Sequence, residues 1–363
     1  MKIAFVNDGI HEYASGDPSA VGGAERQQWL LARALAAAGW SVKVGTRHRL
    51  ERGRRETIDG VDYVGIGIGP YLPALFRFLR SERPNWFYLR CAQPLLGPMV
   101  QLARVSNVRT IFSAGFDTDI QPREALTRRR RLWPLYAWGL AQVEKLFLQH
   151  GRQLSGLPTK WRSKAYIVRS IAGARAPVKP HAMREKYVAW IGMLRRHKRP
   201  DLLIEIARKA PALRFVLCGG QSTFGTTAGY SEQIMNRLRD LTNVNYCGQV
   251  SPEHAEGIIR NAAVLLSTSS SEGFPNTFLQ AWSSGTPVVS LEIDPDDIIK
   301  RYGLGAMSNG VVGAVRDITR LIASADQRDD IAVHTQRYVT QYHSDAAVVE
   351  AFEAAVSGAS LQA

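Results

Sequence analysis

The sequence predicts an α/β protein built from two doubly wound, parallel-sheet, Rossmann-like domains, and three observations carry that expectation. Short apolar runs alternate with longer stretches of helical periodicity, the pattern of parallel strands covered by helices on both faces. The alternation breaks once, at Ala172-Gly173-Ala174-Arg175-Ala176-Pro177-Val178-Lys179-Pro180-His181, whose small residues and prolines read as an exposed linker, and then it restarts. A chain of 363 residues, 45% hydrophobic, is also too long for one compact core and apolar enough for two.

Taken in order, strands are expected at residues 3–7, 42–46, 86–89, 110–113 and 145–148, with a helix over 25–38 that Gly39 ends. After the linker come strands at 187–191, 214–218, 264–266 and 288–290, with helices at 200–209, 230–240, 252–260 and 275–284. The expected domains are 1–175 and 176–344, with a last helical stretch, 345–363, returning to the first domain. Ligands of such sheets bind outside the carboxyl ends of the strands, so the chemistry is expected in a cleft between the two domains. No run of about 18 apolar residues occurs, and residues 1–8 read as a first strand rather than a signal peptide. A cytoplasmic protein, at most peripheral on the inner face of the cytoplasmic membrane, is the expectation. Cys91, Cys218 and Cys247 lack any CxxC or Cys/His ligand spacing and read as reduced core residues.

Charge is unevenly spread. Residues 1–180 hold 28 Lys and Arg against 13 Asp and Glu, whereas the remainder is nearly balanced, 18 against 19. Within the basic half, Arg128-Arg129-Arg130-Arg131-Leu132-Trp133, Phe76-Arg77-Phe78-Leu79-Arg80 and residues 152–179 interleave cations with aromatic or apolar side chains. Such a face suits an anionic membrane surface, a pyrophosphate-bearing acceptor or nucleic acid, beside the plain alternative of a solvated basic surface.

The most specific stretch is Ser269-Ser270-Ser271-Glu272-Gly273-Phe274-Pro275-Asn276-Thr277-Phe278-Leu279-Gln280-Ala281-Trp282, followed by Ser284-Gly285-Thr286-Pro287-Val288. A buried strand ends in a glycine-bearing loop and a helix begins, with Pro275 suited to the first helical position, so helix-start amides face the strand's carboxyl end, a place to hold a phosphate. A second turn, Gly192-Met193-Leu194-Arg195-Arg196-His197-Lys198-Arg199-Pro200, gathers four cations in five residues at the end of the strand 187–191, where they can stabilise a diphosphate leaving group. A glycine pair, Gly22-Gly23, stands before the first long helix and lets backbone amides approach a ligand.

These residues resemble the family 4 retaining glycosyltransferases of the GT-B fold, whose signature is a Glu, seven residues and a second Glu, then a small residue, Gly, Thr, Pro and an apolar strand. Glu272 matches the first acid; Gln280 stands in the place of the second, and Met193 where many members have an Arg. The likeness runs from residue 1 to about 310. It implies that Glu272 bonds hydroxyls of the donor sugar, that backbone amides along the stretch Gly273, Phe274, Pro275, Asn276 and Thr277, the proline itself having no N–H, meet the diphosphate, and that Gln280 meets the ribose. It further implies that Lys198, with Arg195 or Arg196, neutralises the leaving group beside Gly192, and that Gly22 and Gly23 approach the donor. Phe116 aligns where many members carry a His near the sugar, which leaves Asp117 as the nearest polar group to sugar or acceptor. The reaction implied is transfer of a sugar from a nucleotide-diphosphate sugar to an acceptor hydroxyl with retention, without metal or other cofactor. The basic, aromatic-laced first half favours a lipid-linked saccharide acceptor, as in envelope or exopolysaccharide assembly.

Three motifs invite other readings. Asp117-Thr118-Asp119 has the Asp-x-Asp form that grips a divalent metal, Gly65-Ile66-Gly67-Ile68-Gly69-Pro70 approximates a dinucleotide loop, and Glu292-Ile293-Asp294-Pro295-Asp296-Asp297 gathers acids without metal spacing. Two rival functions stay in view. One is a nucleotide-sugar 2-epimerase of the same architecture, which needs a pair of acid and base carboxylates. The other is a non-catalytic nucleic-acid-binding protein using the basic half, for which no recognition signature is present.

Overall fold

The computed structural model describes residues 1–126, 129–173, 177–222 and 229–358; Arg128 of the basic run, residues 174–176 of the expected linker and the last five residues of the terminal stretch lie outside them. The chain divides into two units, Met1–Ile171 with Asp345–Ala363, and Ala172–Ser344. The division thus comes at the start of the small-residue segment, before the expected 175/176 break.

In the first unit, eight strands among the described residues form one sheet: β1 (Lys2–Val6), β2 (Ser41–Thr46), β3 (Arg55–Ile58), β4 (Val61–Gly65), β5 (Trp86–Arg90), β6 (Arg109–Ser113), β7 (Lys145–Leu148) and β8 (Ala165–Ile167). Their order is β3-β4-β2-β1-β5-β6-β7-β8, parallel except for the β3/β4 hairpin. From β1 the chain first moves outward on one side to β2 and later returns to the other side as β5, so β1/β5 is the switch point where a crevice opens at the strands' carboxyl ends. Ile3, Phe5, Trp86, Phe87, Ile111 and Phe112 are fully buried, as continuous apolar strands covered on both faces must be. The helix Asp345–Ser357 belongs here: Phe352 meets Trp40 and Phe147 edge-on, at 5.4 and 5.3 Å, and Trp40 donates to Glu353 at 2.8 Å.

The second unit repeats the design with six parallel strands among the described residues: β9 (Tyr187–Ile191), β10 (Arg214–Cys218), β11 (Val244–Gly248), β12 (Val264–Ser267), β13 (Val288–Ser290) and β14 (Gly305–Met307), in the order β11-β10-β9-β12-β13-β14. Its switch point lies between β9 and β12, so the turn after β9 and the loop after β12 are neighbours by topology. The helix Asn276–Ser283 is fixed by Phe278, Leu279 and Trp282, all fully buried, each contributing roughly 2 kcal/mol or more by apolar area.

One expectation needs correction. Pro275 is the N-cap rather than the first helical residue: its ψ of 123° is extended, and the helix begins at Asn276. The Gly22-Gly23 pair stands before the first long helix as expected, with a short helix, Asp8–Ala14, capped by Asn7, ahead of it; Gly22, at φ 105°, N-caps the helix Gly23–Ala37. That left-handed backbone is one only glycine adopts cheaply.

Candidate functional site on the two sheets

In the second unit the site starts from two loops stitched together at the β9/β12 switch point. The Gly192 amide donates to the Cys218 carbonyl at 2.9 Å, and Gly219 packs so closely that any Cβ there would overlap the Gly192 carbonyl oxygen. The turn then carries its cations into a short 3₁₀ helix, Arg196–Lys198. Two bonds tie it to the loop after β12, and a third ties that loop to β9. The Ser270 amide donates to the His197 carbonyl at 2.8 Å, and Thr268 Oγ1 donates to the Lys198 carbonyl at 2.6 Å while accepting from Trp190 Nε1 at 2.9 Å. This fixes the backbone on both sides of one ion pair, Lys198 with Glu272, whose side chains are 21% and 10% exposed. Burial, and then Lys198, hold the His197 imidazole below its ordinary value, so it adds no charge near neutrality.

The remaining cations of the turn point to separate partners. Arg195 Nε donates to Ser222 Oγ at 2.9 Å, the Arg196 guanidinium lies 5.0 Å over the Tyr230 ring, and Arg199 pairs with Asp201 and Glu292, both at 3.4 Å. Pro275, the N-cap of the helix Asn276–Ser283, has no side-chain donor or acceptor to cap it. Gly273, Phe274 and Pro275 are buried, and the Phe274 ring packs on Trp282 and His343 in the core, so only its backbone can serve a ligand. Gln280 Nε2 donates to Glu256 Oε1 at 3.2 Å, which sets a carboxylate beside the position where the family signature has its second acid. Sequence reasoning missed Glu256; helical spacing alone does not say which neighbouring helix faces position 280.

In the first unit a cavity of about 350 Å³ opens at the carboxyl ends of β1, β2 and β5, the switch point of that sheet; Asn7, Asp8, Arg47, Tyr71, Arg90 and Cys91 are among its lining. Cys91, expected in the core, is therefore a cavity residue; burial pushes its thiol up to about 12, which keeps it protonated. Asp117 stands after β6, half-exposed at 52%, and accepts from His150 Nε2 and Gln153 Nε2, both at 2.9 Å. His150 and Gln153 were not expected; polar residues just beyond the strand 145–148, at the start of a helix, were the available signal. The Asp-x-Asp triplet does not act as a unit: Asp119 turns inward and accepts from the Gly115 and Phe116 amides at 2.7 and 3.0 Å. Among the described residues no group of three or more His, Cys, Asp or Glu is placed to hold a metal ion. The Gly65–Pro70 stretch follows β4 rather than the first strand.

Two family models match. Residues 22–160 fit the glycosyl transferase 4-like domain, and residues 185–327 fit the glycosyl transferases group 1 domain. The chain belongs to the group 1, family 4 glycosyltransferases. This glycosyltransferase chain is 28% identical over 134 residues to the D-inositol 3-phosphate glycosyltransferase of Mycolicibacterium smegmatis, a match covering 37% of the chain and 29% of that relative. It is 31% identical over 107 residues to the alpha-galactosylglucosyldiacylglycerol synthase of Streptococcus pneumoniae, covering 30% of the chain and 29% of the relative. The matches span under a third of the length of these curated relatives. Among solved structures, Anabaena HepE in complex with UDP and glucose superposes with a TM-score of 0.73 at 14% identity, over 98% of this chain and 99% of that one. The fold is GT-B, two Rossmann-like parallel-sheet domains.

Proposed function

We propose that the chain transfers a sugar from a nucleotide-diphosphate sugar to an acceptor hydroxyl, with retention of configuration and without a metal, the second unit holding the donor and the first the acceptor. The observation that carries this reading is the Lys198–Glu272 ion pair, held by backbone bonds at the β9/β12 switch point beside the start of the helix Asn276–Ser283, whose N-cap is a proline. Without ligand the two charges neutralise each other. A diphosphate competes for Lys198, and the released Glu272 carboxylate then accepts from hydroxyls of the sugar, so binding and orientation are coupled. As the bond to the diphosphate breaks, negative charge grows on its oxygens, and Lys198 with the amides at Asn276 and Thr277 stabilises it in a partly dehydrated setting. Arg195 and Arg196 extend this field once they leave Ser222 and Tyr230. Glu256 supplies, through Gln280, the negative charge that a ribose hydroxyl would otherwise meet at position 280. Gly22, at the start of its helix, lets the backbone approach the donor.

A nucleotide sugar is also what the HepE complex with UDP and glucose suggests. The acceptor side rests on Asp117, held by His150 and Gln153 with its carboxylate half-exposed, a geometry suited to a hydroxyl. The lipid named in the Streptococcus relative and the basic first half favour a lipid-linked saccharide at an anionic membrane surface, and on this reading the chain works at the cytoplasmic face. Glu272→Ala tests the reading: transfer falls at least about a hundredfold, the scale of losing one preorganised polar group, while the melting temperature changes little. Normal release of nucleoside diphosphate by this variant would overturn the assignment.

A further inference from the structure

The cavity of the first unit has unused hydrogen-bonding capacity of a particular kind. Arg47 is fixed by its Nη2, which donates to the carbonyls of Ile68 at 3.1 Å and Gly69 at 2.8 Å, and its guanidinium lies 5.3 Å over the Tyr71 ring. Arg90 is fixed by its Nη1, which donates to Tyr88 Oη at 3.3 Å and Ser113 Oγ at 3.0 Å. In each, Nε is buried and has no partner among the described residues. A buried N–H without an acceptor costs on the order of 1 to 3 kcal/mol, and more for a charged group; both side chains line the one cavity, so an oxyanion there that draws a guanidinium toward it relieves that cost. Asp119, which attracts Arg90 through space, spends its carboxylate on the Gly115 and Phe116 amides and does not fill that need.

The lining also contains two acids. Asp8 Oδ1 accepts from the backbone amides of Arg47 and His48, at 2.6 and 3.0 Å, and Glu25 lies against Gly22, where a Cβ would overlap its carboxylate. Carboxylates at the same cavity suit hydroxyl donors rather than a second anion. A volume of about 350 Å³ lies near the small end of ligand pockets, roughly 300 to 1,000 Å³, which suits one sugar or polyol ring rather than an oligosaccharide.

We propose that this cavity binds a polyhydroxylated anion, a ring bearing a phosphate or a carboxylate, with Arg47 and Arg90 on the anionic group and Asp8 and Glu25 on its hydroxyls. Resting on the transferase reading, this makes the acceptor an anionic sugar or polyol. The two guanidinium groups are separately anchored, so they are preorganised for an oxyanion and lose little freedom on binding.

Calorimetry on the full chain tests it, with glucose 6-phosphate, glucuronate, glucose and inorganic phosphate as probes, and UDP as an independent probe of the second unit. The expected result is that glucose 6-phosphate or glucuronate binds at least about tenfold tighter than glucose, the size of one charge-assisted contact. Which of the two binds tighter distinguishes phosphate from carboxylate as the recognised group. Arg47→Gln and Arg90→Gln each lose that preference, Arg90→Lys retains part of it, and UDP binding stays as in the wild type. Arg90 is deeply placed, so if Arg90→Gln does not fold, Arg47→Gln, on the half-buried arginine, decides. Equal binding of glucose and its charged analogues, or anion binding unchanged in Arg47→Gln, overturns the proposal. Loss of UDP binding with anion binding intact would instead sink the transferase reading and leave the cavity's ligand class standing.

Discussion

Lys198 is the residue through which the second unit's two loops meet. Its carbonyl is held by Thr268, its neighbour's carbonyl by the Ser270 amide, and its ammonium by Glu272. Lys198→Ala is therefore expected to weaken nucleoside-diphosphate binding by about tenfold or more, since a charge-assisted contact is worth about 1.5 to 3 kcal/mol. Calorimetry with the wild type's preferred diphosphate checks this, and affinity equal to wild type would place the diphosphate elsewhere. At position 280, Gln280→Glu sets a second carboxylate against Glu256 and repels it, so this return to the family's acid is expected to bind nucleotide no better than the natural Gln. A large gain in affinity would show that Glu256 does not serve the ligand. Glu272, Lys198 and Gln280 were legible in the sequence because their spacing is local. Glu256, His150 and Arg90 were not, because each reaches its site from a strand or helix distant in sequence.

At the scale of elements, the central strands were readable and the edges were not. All four edge strands, β3, β8, β11 and β14, escaped the sequence reading, as did β4, the hairpin partner of β3. Central strands such as β5 and β12 are buried along almost their whole length and so appear as apolar runs, whereas β3 and β11 alternate or lie half-exposed and lose that signal. The Asp59-Gly60 turn between β3 and β4, both residues at positive φ, was the sequence's one cue for the hairpin. Helix packing in the second unit also depends on a neutral imidazole. His181 is fully buried, its Nε2 2.9 Å from the Gly285 carbonyl and its Nδ1 accepting from Arg328 at 3.3 Å. Burial, with Arg184 and Arg328 nearby and Asp329 only partly offsetting them, pushes it down to about 4. An unfolded imidazole takes its proton near 6.5, so between pH 6.5 and about 4 protonation favours the unfolded chain; the stability is complete above that window and is lost as pH falls through it. The melting temperature is expected to drop across that range and the drop to flatten in His181→Gln. An identical slope in the variant would assign the acid sensitivity to other groups.

Over the whole molecule, the excess of cations sits in residues 1–180, and the structure places aromatic side chains at the surface among them. Trp138 is 42% exposed, Phe76 is exposed beside Arg77 and Arg80, and Arg123 lies 5.1 Å over the Trp133 ring. Among the described residues no helix is long and apolar enough to cross a membrane. In flotation with anionic vesicles the protein is expected to rise with the lipid at low salt and to be released as salt is raised; a protein that stays in the soluble fraction at low salt would remove the membrane from the account. The central claim, a metal-independent nucleotide-sugar site on the second unit, is tested most directly by thermal shift with UDP, GDP, ADP, dTDP and CMP, each with and without EDTA. One diphosphate is predicted to raise the melting temperature equally in EDTA, and Lys198→Ala to lose that rise; no rise with any nucleotide, or a rise that EDTA abolishes, would contradict it.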